Sequence, residues 1–137
     1  MSIQDIQNKI DDYKEVLSML QRHDRIQYIV DLAKNVEPLD ERYKLDSFKI
    51  RGCASSLWVV PMYKDNTLKF MHDADSAITK GYAKIVLDIF NGQDCKDIVA
   101  SEEIIKNLGI VELLTMQRQN GLGSLLNTIH NYAKKDN

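Results

Sequence analysis

The spacing of apolar residues changes character twice along this chain. In the first third, apolar residues recur every three or four positions, which is the period of an amphipathic helix. The runs SFKIRG, SSLWVVPMYK and TLKFMHDA then follow, and all three are rich in β-branched and aromatic residues. After Asp75 the helical period returns. This order predicts an α+β domain in which a small three-stranded antiparallel sheet carries helices packed on one face.

The helical segments differ in how clearly they are marked. A first helix of about twenty residues carries one apolar stripe from Ile3 to Leu20. A second helix is predicted to start at a capping box formed by Asp24 and Gln27 and to end near Asn35. The clearest helical period follows the strands, and its apolar positions are Ile78, Gly81, Tyr82, Ile85, Val86, Ile89 and Phe90. The turn residues KDNT join the last two strands as a hairpin.

Length and charge limit the kinds of protein this chain can be. The sequence has 137 residues, enough for one domain with a core, and we expect a single domain over residues 1–137. A net charge of −2 gives no broad basic surface, so nucleic acid is not expected as a partner. Charged residues interrupt the apolar positions from the N-terminus onward. We therefore expect neither a signal peptide nor a membrane span, and a cytoplasmic protein.

The two cysteines, Cys53 and Cys95, have to be interpreted separately. They are too few for a disulfide scaffold and, without histidines at ligand spacing, for a zinc site, so no metal and no resident cofactor are expected. Cys95 follows Asp94 at a predicted helix start, where a redox role or a structural one is open.

Cys53 lies between Gly52 and the small residues Ala-Ser-Ser, a pattern typical of a loop before a strand. A buried structural cysteine is the plain alternative. Arg51 falls on the same side of an extended chain and could lie beside the thiol. A hydrolase would need a histidine as base; His72, near the end of the third strand, is the best placed of the three in the sequence. No cysteine–histidine–aspartate pattern stands out, which favours a sulfur carrier over a hydrolase.

The segment GCASSLW resembles the SufE family of sulfur acceptors, whose loop cysteine lies in a Gly-Cys-Gln-Ser-x-(Val/Leu)-Trp motif. DRIQYIVDLAKNV, DADSAITKGY, QDCKDIV and LLTMQRQNGLGSLL match further family segments in the same order. The resemblance spans nearly the whole chain. It implies a SufE/IscU-like fold and a protein that is not an independent enzyme but accepts persulfide sulfur.

The resemblance also implies roles for particular residues. Cys53 would be the nucleophile that accepts the persulfide. Gly52 would be the hinge of its loop, with Arg51 and Ser55 in positioning roles. Asp75, Arg118 and His72 are further candidates, for partner docking or for the surroundings of the thiol.

The implied partners are a SufS-like cysteine desulfurase, which uses pyridoxal phosphate, and a SufBCD-like iron–sulfur scaffold complex. The carrier would stimulate the desulfurase. Two alternatives remain open: an adaptor that activates a desulfurase without carrying sulfur, and a sulfur-transfer adaptor for a tRNA- or cofactor-modifying enzyme. Ala54 and Ser56 depart from the family pattern, so we expect the thiol to be positioned differently from that of other family members.

Overall fold

The computed structural model describes residues 3–52 and 55–135, which fold into five α-helices and three β-strands with short 3-10 turns between them. In chain order these are α1 (Ile3–Ser18), α2 (Arg22–Leu32), β1 (Leu57–Lys64), β2 (Thr67–Ala74), α3 (Ala77–Phe90), β3 (Gln93–Asp94), α4 (Cys95–Ala100) and α5 (Met116–Lys135). The α+β class and the three-stranded antiparallel sheet predicted from the sequence are confirmed.

The sheet has the order β1-β2-β3, and its inner strand β2 pairs with β1 along its full length. The backbone N–H of Phe70 donates to the side chain of Asn91, away from β1, so Phe70 and its partner Pro61 form a pair without hydrogen bonds between them. Pro61 therefore occupies a position at which β1 needs no donor toward β2.

The third strand is not the one predicted. The segment SFKIRG contains a 3-10 turn at Asp46–Phe48 and a single bridge between Lys49 and Trp58. It leaves the extended conformation at Gly52, whose φ is 77°. The third strand is Gln93–Asp94, which pairs with the start of β2. Two polar residues are too short a run for the alternation of a strand to show in the sequence.

Helix α3 lies at the centre of the core. Its residues Tyr82, Ile85, Ile89 and Phe90 are fully buried, as the periodicity predicts. It crosses α2 at Gly81, where a Cβ atom would lie 1.9 Å from the carbonyl oxygen of Ile29. Glycine at this position therefore allows the two helix backbones to touch.

The cap predicted for the second helix is wrong. Helix α2 begins at Arg22, with Gln21 as the N-cap residue, so Asp24 lies inside its first turn. Helix α3 is capped by Ser76, whose side chain accepts from the N–H of Thr79.

The face of the sheet opposite α3 is partly covered by an irregular segment, residues 36–48. Its Leu39 N–H donates to the carboxylate of Asp73 at 3.0 Å, and its Lys44 ammonium lies 3.4 Å from the same carboxylate. Lys44 also lies over the ring of Trp58, 5.4 Å from its centroid. Lys80 of α3 completes the group at 2.9 Å from Asp73. The buried Asp73 thus joins the irregular segment, β2 and α3.

Candidate functional site

The loop that contains the predicted nucleophile is held at both of its ends. Cys53 and Ala54 lie outside the described residues, but Gly52 before them and Ser55 after them are described. Gly52 lies against α5, so close that a Cβ atom would be 3.1 Å from Oγ of Ser124. Ser55 is bonded to α3, with 2.8 Å between its Oγ and Oγ1 of Thr79. The loop therefore spans from α5 to the start of α3.

Arg118 contacts the same start of α3. Its Nη1 donates to Oγ1 of Thr79 at 2.7 Å and to Oγ of Ser76 at 3.0 Å. Since Thr79 accepts from Arg118, its hydroxyl proton is available to Ser55. A continuous chain of hydrogen bonds thus runs from the guanidinium to the residue two positions after Cys53.

The charge of Arg118 is not neutralised locally. Its partners are hydroxyl groups, and it forms no ion pair with a carboxylate in the described part of the chain. Thr79 is completely buried, which fixes the position of the hydroxyl that receives the guanidinium. The guanidinium is thus held at the start of α3, one hydrogen-bonded residue away from Ser55.

Two other predicted site residues flank the loop. The backbone N–H of Asp75 donates to the carbonyl of Ser56 at 3.0 Å, and its side chain lines a shallow cleft together with Lys34 and Lys80. Arg51 is exposed and lines a separate cleft of about 330 Å³ with Ser124 and Thr128. Both residues thus lie next to the ends of the loop, and they line different clefts.

His72 lies on β2, where it pairs with Val59, and its ring Nε2 donates to the carbonyl of Lys80 at 3.3 Å. Burial lowers the pKa of His72 to about 4; the carbonyl of Lys80 opposes the shift, and the charge of Lys84 adds to it. No described contact joins His72 to Gly52, Ser55 or Arg118, and it faces a different cleft.

Cys95 is the first residue of α4, with 1% of its surface exposed, and its N–H donates to the carbonyl of Asn66. Over residues 3–52 and 55–135, no three histidine, cysteine, aspartate or glutamate side chains are grouped so as to hold a metal ion. None of the helices in the described part of the chain combines the length and the apolar character needed to cross a bilayer.

Three residues of the site were not singled out from the sequence: Ser76, Thr79 and Ser124. A signal exists only for Thr79, which shares a helix face with Tyr82 and Val86 at three- and seven-residue spacing. A polar residue on a buried face needs a hydrogen-bonding partner, and Arg118 supplies it from another helix. That partner is set by the tertiary fold, so the sequence alone does not reveal it.

Residues 11–133 match the family model of SufE, described as an Fe–S metabolism associated domain. The chain belongs to the SufE family. The resemblance seen in the sequence is thereby confirmed. Membership of SufE implies a role in Fe–S metabolism and an interaction with a cysteine desulfurase.

SufE-like relatives share about a third of the sequence. An uncharacterised SufE-like protein of Rhizobium meliloti is 33% identical over 117 residues, which cover 81% of this chain and 84% of the relative. One from Rhizobium etli is 34% identical over 117 residues, which cover 81% and 79% of the two chains. The solution structure of a hypothetical protein from Thermus thermophilus has a TM-score of 0.75 at 17% identity and covers 93% of this chain and 95% of that one. At that identity the last likeness shows the fold alone.

Proposed function

We propose that this SufE-family chain is a persulfide carrier. It takes sulfane sulfur from a cysteine desulfurase onto Cys53, stimulates the desulfurase by doing so, and passes the sulfur to an iron–sulfur scaffold complex. The proposal places the reaction in the cytoplasm. It assigns no cofactor to the carrier itself, since the pyridoxal phosphate belongs to the desulfurase.

The observation that carries the proposal is the chain of hydrogen bonds from Arg118 through Thr79 to Ser55. A thiolate at residue 53 is scarcely populated at neutral pH unless positive charge lies nearby. Arg118 supplies that charge without a competing carboxylate among the described residues, and it is bound to the structure that ends the loop. No histidine base is needed for this chemistry.

The transfer step is a thiol exchange that balances without an outside oxidant. The thiolate of Cys53 attacks the outer sulfur of the persulfide on the desulfurase cysteine. A new S–S bond forms at Cys53, the S–S bond on the desulfurase breaks, and its electron pair leaves with the desulfurase sulfur as a thiolate. Most of the rate comes from holding the two sulfurs in line within the docked pair. Gly52, with its positive φ, supports the proposed hinge of the loop.

The deciding experiment follows the sulfur. The protein is incubated with a cysteine desulfurase and ³⁵S-labelled cysteine, and label on Cys53 is measured by peptide mass spectrometry and autoradiography. We expect label on Cys53 in the wild type and none in Cys53→Ser. Label that never appears on Cys53 while desulfurase turnover still rises would show a non-carrying adaptor, and label on Cys95 would overturn the site.

A second comparison tests the role of Arg118. We expect Arg118→Gln to lower the rate of sulfur acceptance roughly tenfold, because one charge-assisted contact is worth about 1.4 kcal/mol in the transition state. Alkylation of Cys53 by iodoacetamide at neutral pH should slow in parallel. Arg22→Gln is the matched control, since Arg22 is an exposed arginine at the start of α2 that donates to the carbonyl of Glu112. Equal rates in both variants would remove Arg118 from the mechanism.

A further inference from the structure

Strand β2 has an edge that is only partly paired. Strand β3 pairs with Thr67 and Leu68. Further along β2, the side chain of Asn91 accepts a hydrogen bond from the N–H of Phe70. Because strand groups alternate in direction, the N–H and C=O of His72 and the C=O of Phe70 also point away from β1. No hydrogen bond from any described residue reaches these three groups.

A cleft of about 580 Å³ runs along this edge. One wall is β2 from Phe70 to His72, and the opposite wall is the chain from Asn35 to Tyr43. Lys84, Leu87 and Asn91 line the cleft as well. The volume falls in the range that holds small-molecule ligands, and the site is separate from the loop of Cys53.

The charged groups that line the cleft favour the binding of an anion near Lys84. Lys84 of α3 is half-buried, lines the cleft, and forms neither an ion pair nor a hydrogen bond with a described residue. On the opposite wall, Asp40 lies 3.8 Å from Arg42, and Glu37 is exposed to water. Lys84 follows Lys80, the residue that binds the His72 ring, by one helical turn, so its ammonium can reach a ligand bound at the strand edge.

We propose that this cleft binds a short extended peptide of about three residues that carries a free carboxylate. One residue of the peptide exchanges two backbone hydrogen bonds with His72. The residue two positions on donates to the carbonyl of Phe70. The capped N–H of Phe70 prevents the ladder from continuing, which sets the length, and Lys84 receives the carboxylate. This activity is additional to sulfur transfer and does not depend on it.

The test uses three peptides and amide-resolved NMR of the whole protein. Acetyl-Ala-Ala-Ala with a free carboxylate should bind with a dissociation constant on the order of 1 mM. It should shift the amide signals of Phe70 to His72 and of residues 36–40, and it should slow hydrogen exchange at the His72 N–H. The C-terminal amide of the same peptide should bind about fivefold more weakly, because it lacks the charge for Lys84. Methylation of the third peptide nitrogen should weaken binding about tenfold, since it removes the donor to Phe70.

Two lysine variants separate the charge effect from a general one. Lys84→Gln should bring the acid down to the affinity of the amide. Lys69→Gln is the matched control, since Lys69 is an exposed lysine on the same strand whose cross-strand partner is Met62. No saturable shift below about 10 mM, shifts centred elsewhere, or equal binding of the N-methylated peptide would overturn the proposal.

Discussion

At the scale of single residues, His72 shows how the burial of an ionisable side chain makes stability depend on pH. It is 9% exposed, its ring donates to the carbonyl of Lys80, and burial lowers its pKa from 6.5 to about 4 although that hydrogen bond opposes the shift. A group whose pKa is depressed by folding stabilises the protein fully above its unfolded pKa. That contribution is lost as the pH falls from 6.5 toward 4, because the unfolded chain binds the proton more readily.

We therefore expect the free energy of unfolding of the wild type to fall by about 3 kcal/mol more than that of His72→Gln between pH 6.5 and pH 4. Urea unfolding at a series of pH values measures it. His23→Gln is the control, because the side chain of His23 is 80% exposed. A wild-type profile that runs parallel to that of His72→Gln over this range would contradict the assignment.

The two glycines at 81 and 123 give opposite predictions for the same substitution. In Gly81→Ala the new methyl group would overlap the backbone of Ile29, so we expect a loss of about 4 kcal/mol or more, or failure to fold. In Gly123→Ala the methyl group meets nothing within 4 Å, and removing glycine from a helix should stabilise the protein by about 1 kcal/mol. Thermal and urea unfolding measure both. A mild effect of Gly81→Ala would mean that α2 and α3 can separate.

At the scale of elements, Asp73 joins three parts of the fold through Leu39, Lys44 and Lys80. Burial alone raises the pKa of Asp73, but the hydrogen bonds from Lys80, Leu39 and Ala74 outweigh it and lower the pKa to about 2. The carboxylate is therefore stabilising above pH 4, and that contribution is lost as the pH falls toward 2.

We expect Asp73→Asn to cost about 3 kcal/mol in urea unfolding at neutral pH, because it leaves two lysines without their buried partner. Asp31→Asn is the matched control: Asp31 pairs with Lys34 on the surface of α2, and its replacement should change the free energy of unfolding little. Equal costs would show that the Asp73 group is as solvated as a surface pair.

The elements were predictable where one local pattern decides the structure. The helical period of α3 continues over several turns, and the β1–β2 hairpin extends over several residue pairs. In both elements the pattern of burial and the local propensity favour the same secondary structure. Strand β3 and the single bridge between Lys49 and Trp58 were not predictable, because each depends on one or two contacts with distant residues. The contact of Arg118 with Thr79 is of the same kind: each residue is ordinary in its own helix, and the site exists only where α3 and α5 meet.

At the scale of the whole molecule, the match to the family model begins at residue 11, but residues before this position belong to the hydrophobic core. Ile6 and Ile10 of α1 are completely buried. We expect removal of residues 1–10 to lower the free energy of unfolding by about 4 kcal/mol or more, from the loss of two buried isoleucines.

The full chain should unfold in one transition, so that the unfolding curves measured by the fluorescence of Trp58 and by far-UV circular dichroism coincide.

Ile3→Ala serves as the control for the truncation, since Ile3 is 41% exposed and its replacement should cost less than about 1 kcal/mol. An unchanged urea midpoint after truncation would show that α1 is an appendage. Separate transitions for the two signals would show that the chain is not a single domain.

The outer edge of β1 bears on how this protein behaves at high concentration. An open strand edge can recruit the same strand of another molecule and begin a growing sheet. Pro61 lies in the middle of β1 with its ring nitrogen turned outward, so that edge lacks a donor where a second copy would need one. The proline costs the folded sheet no hydrogen bond, yet it removes a donor that edge-to-edge pairing with a second copy would use.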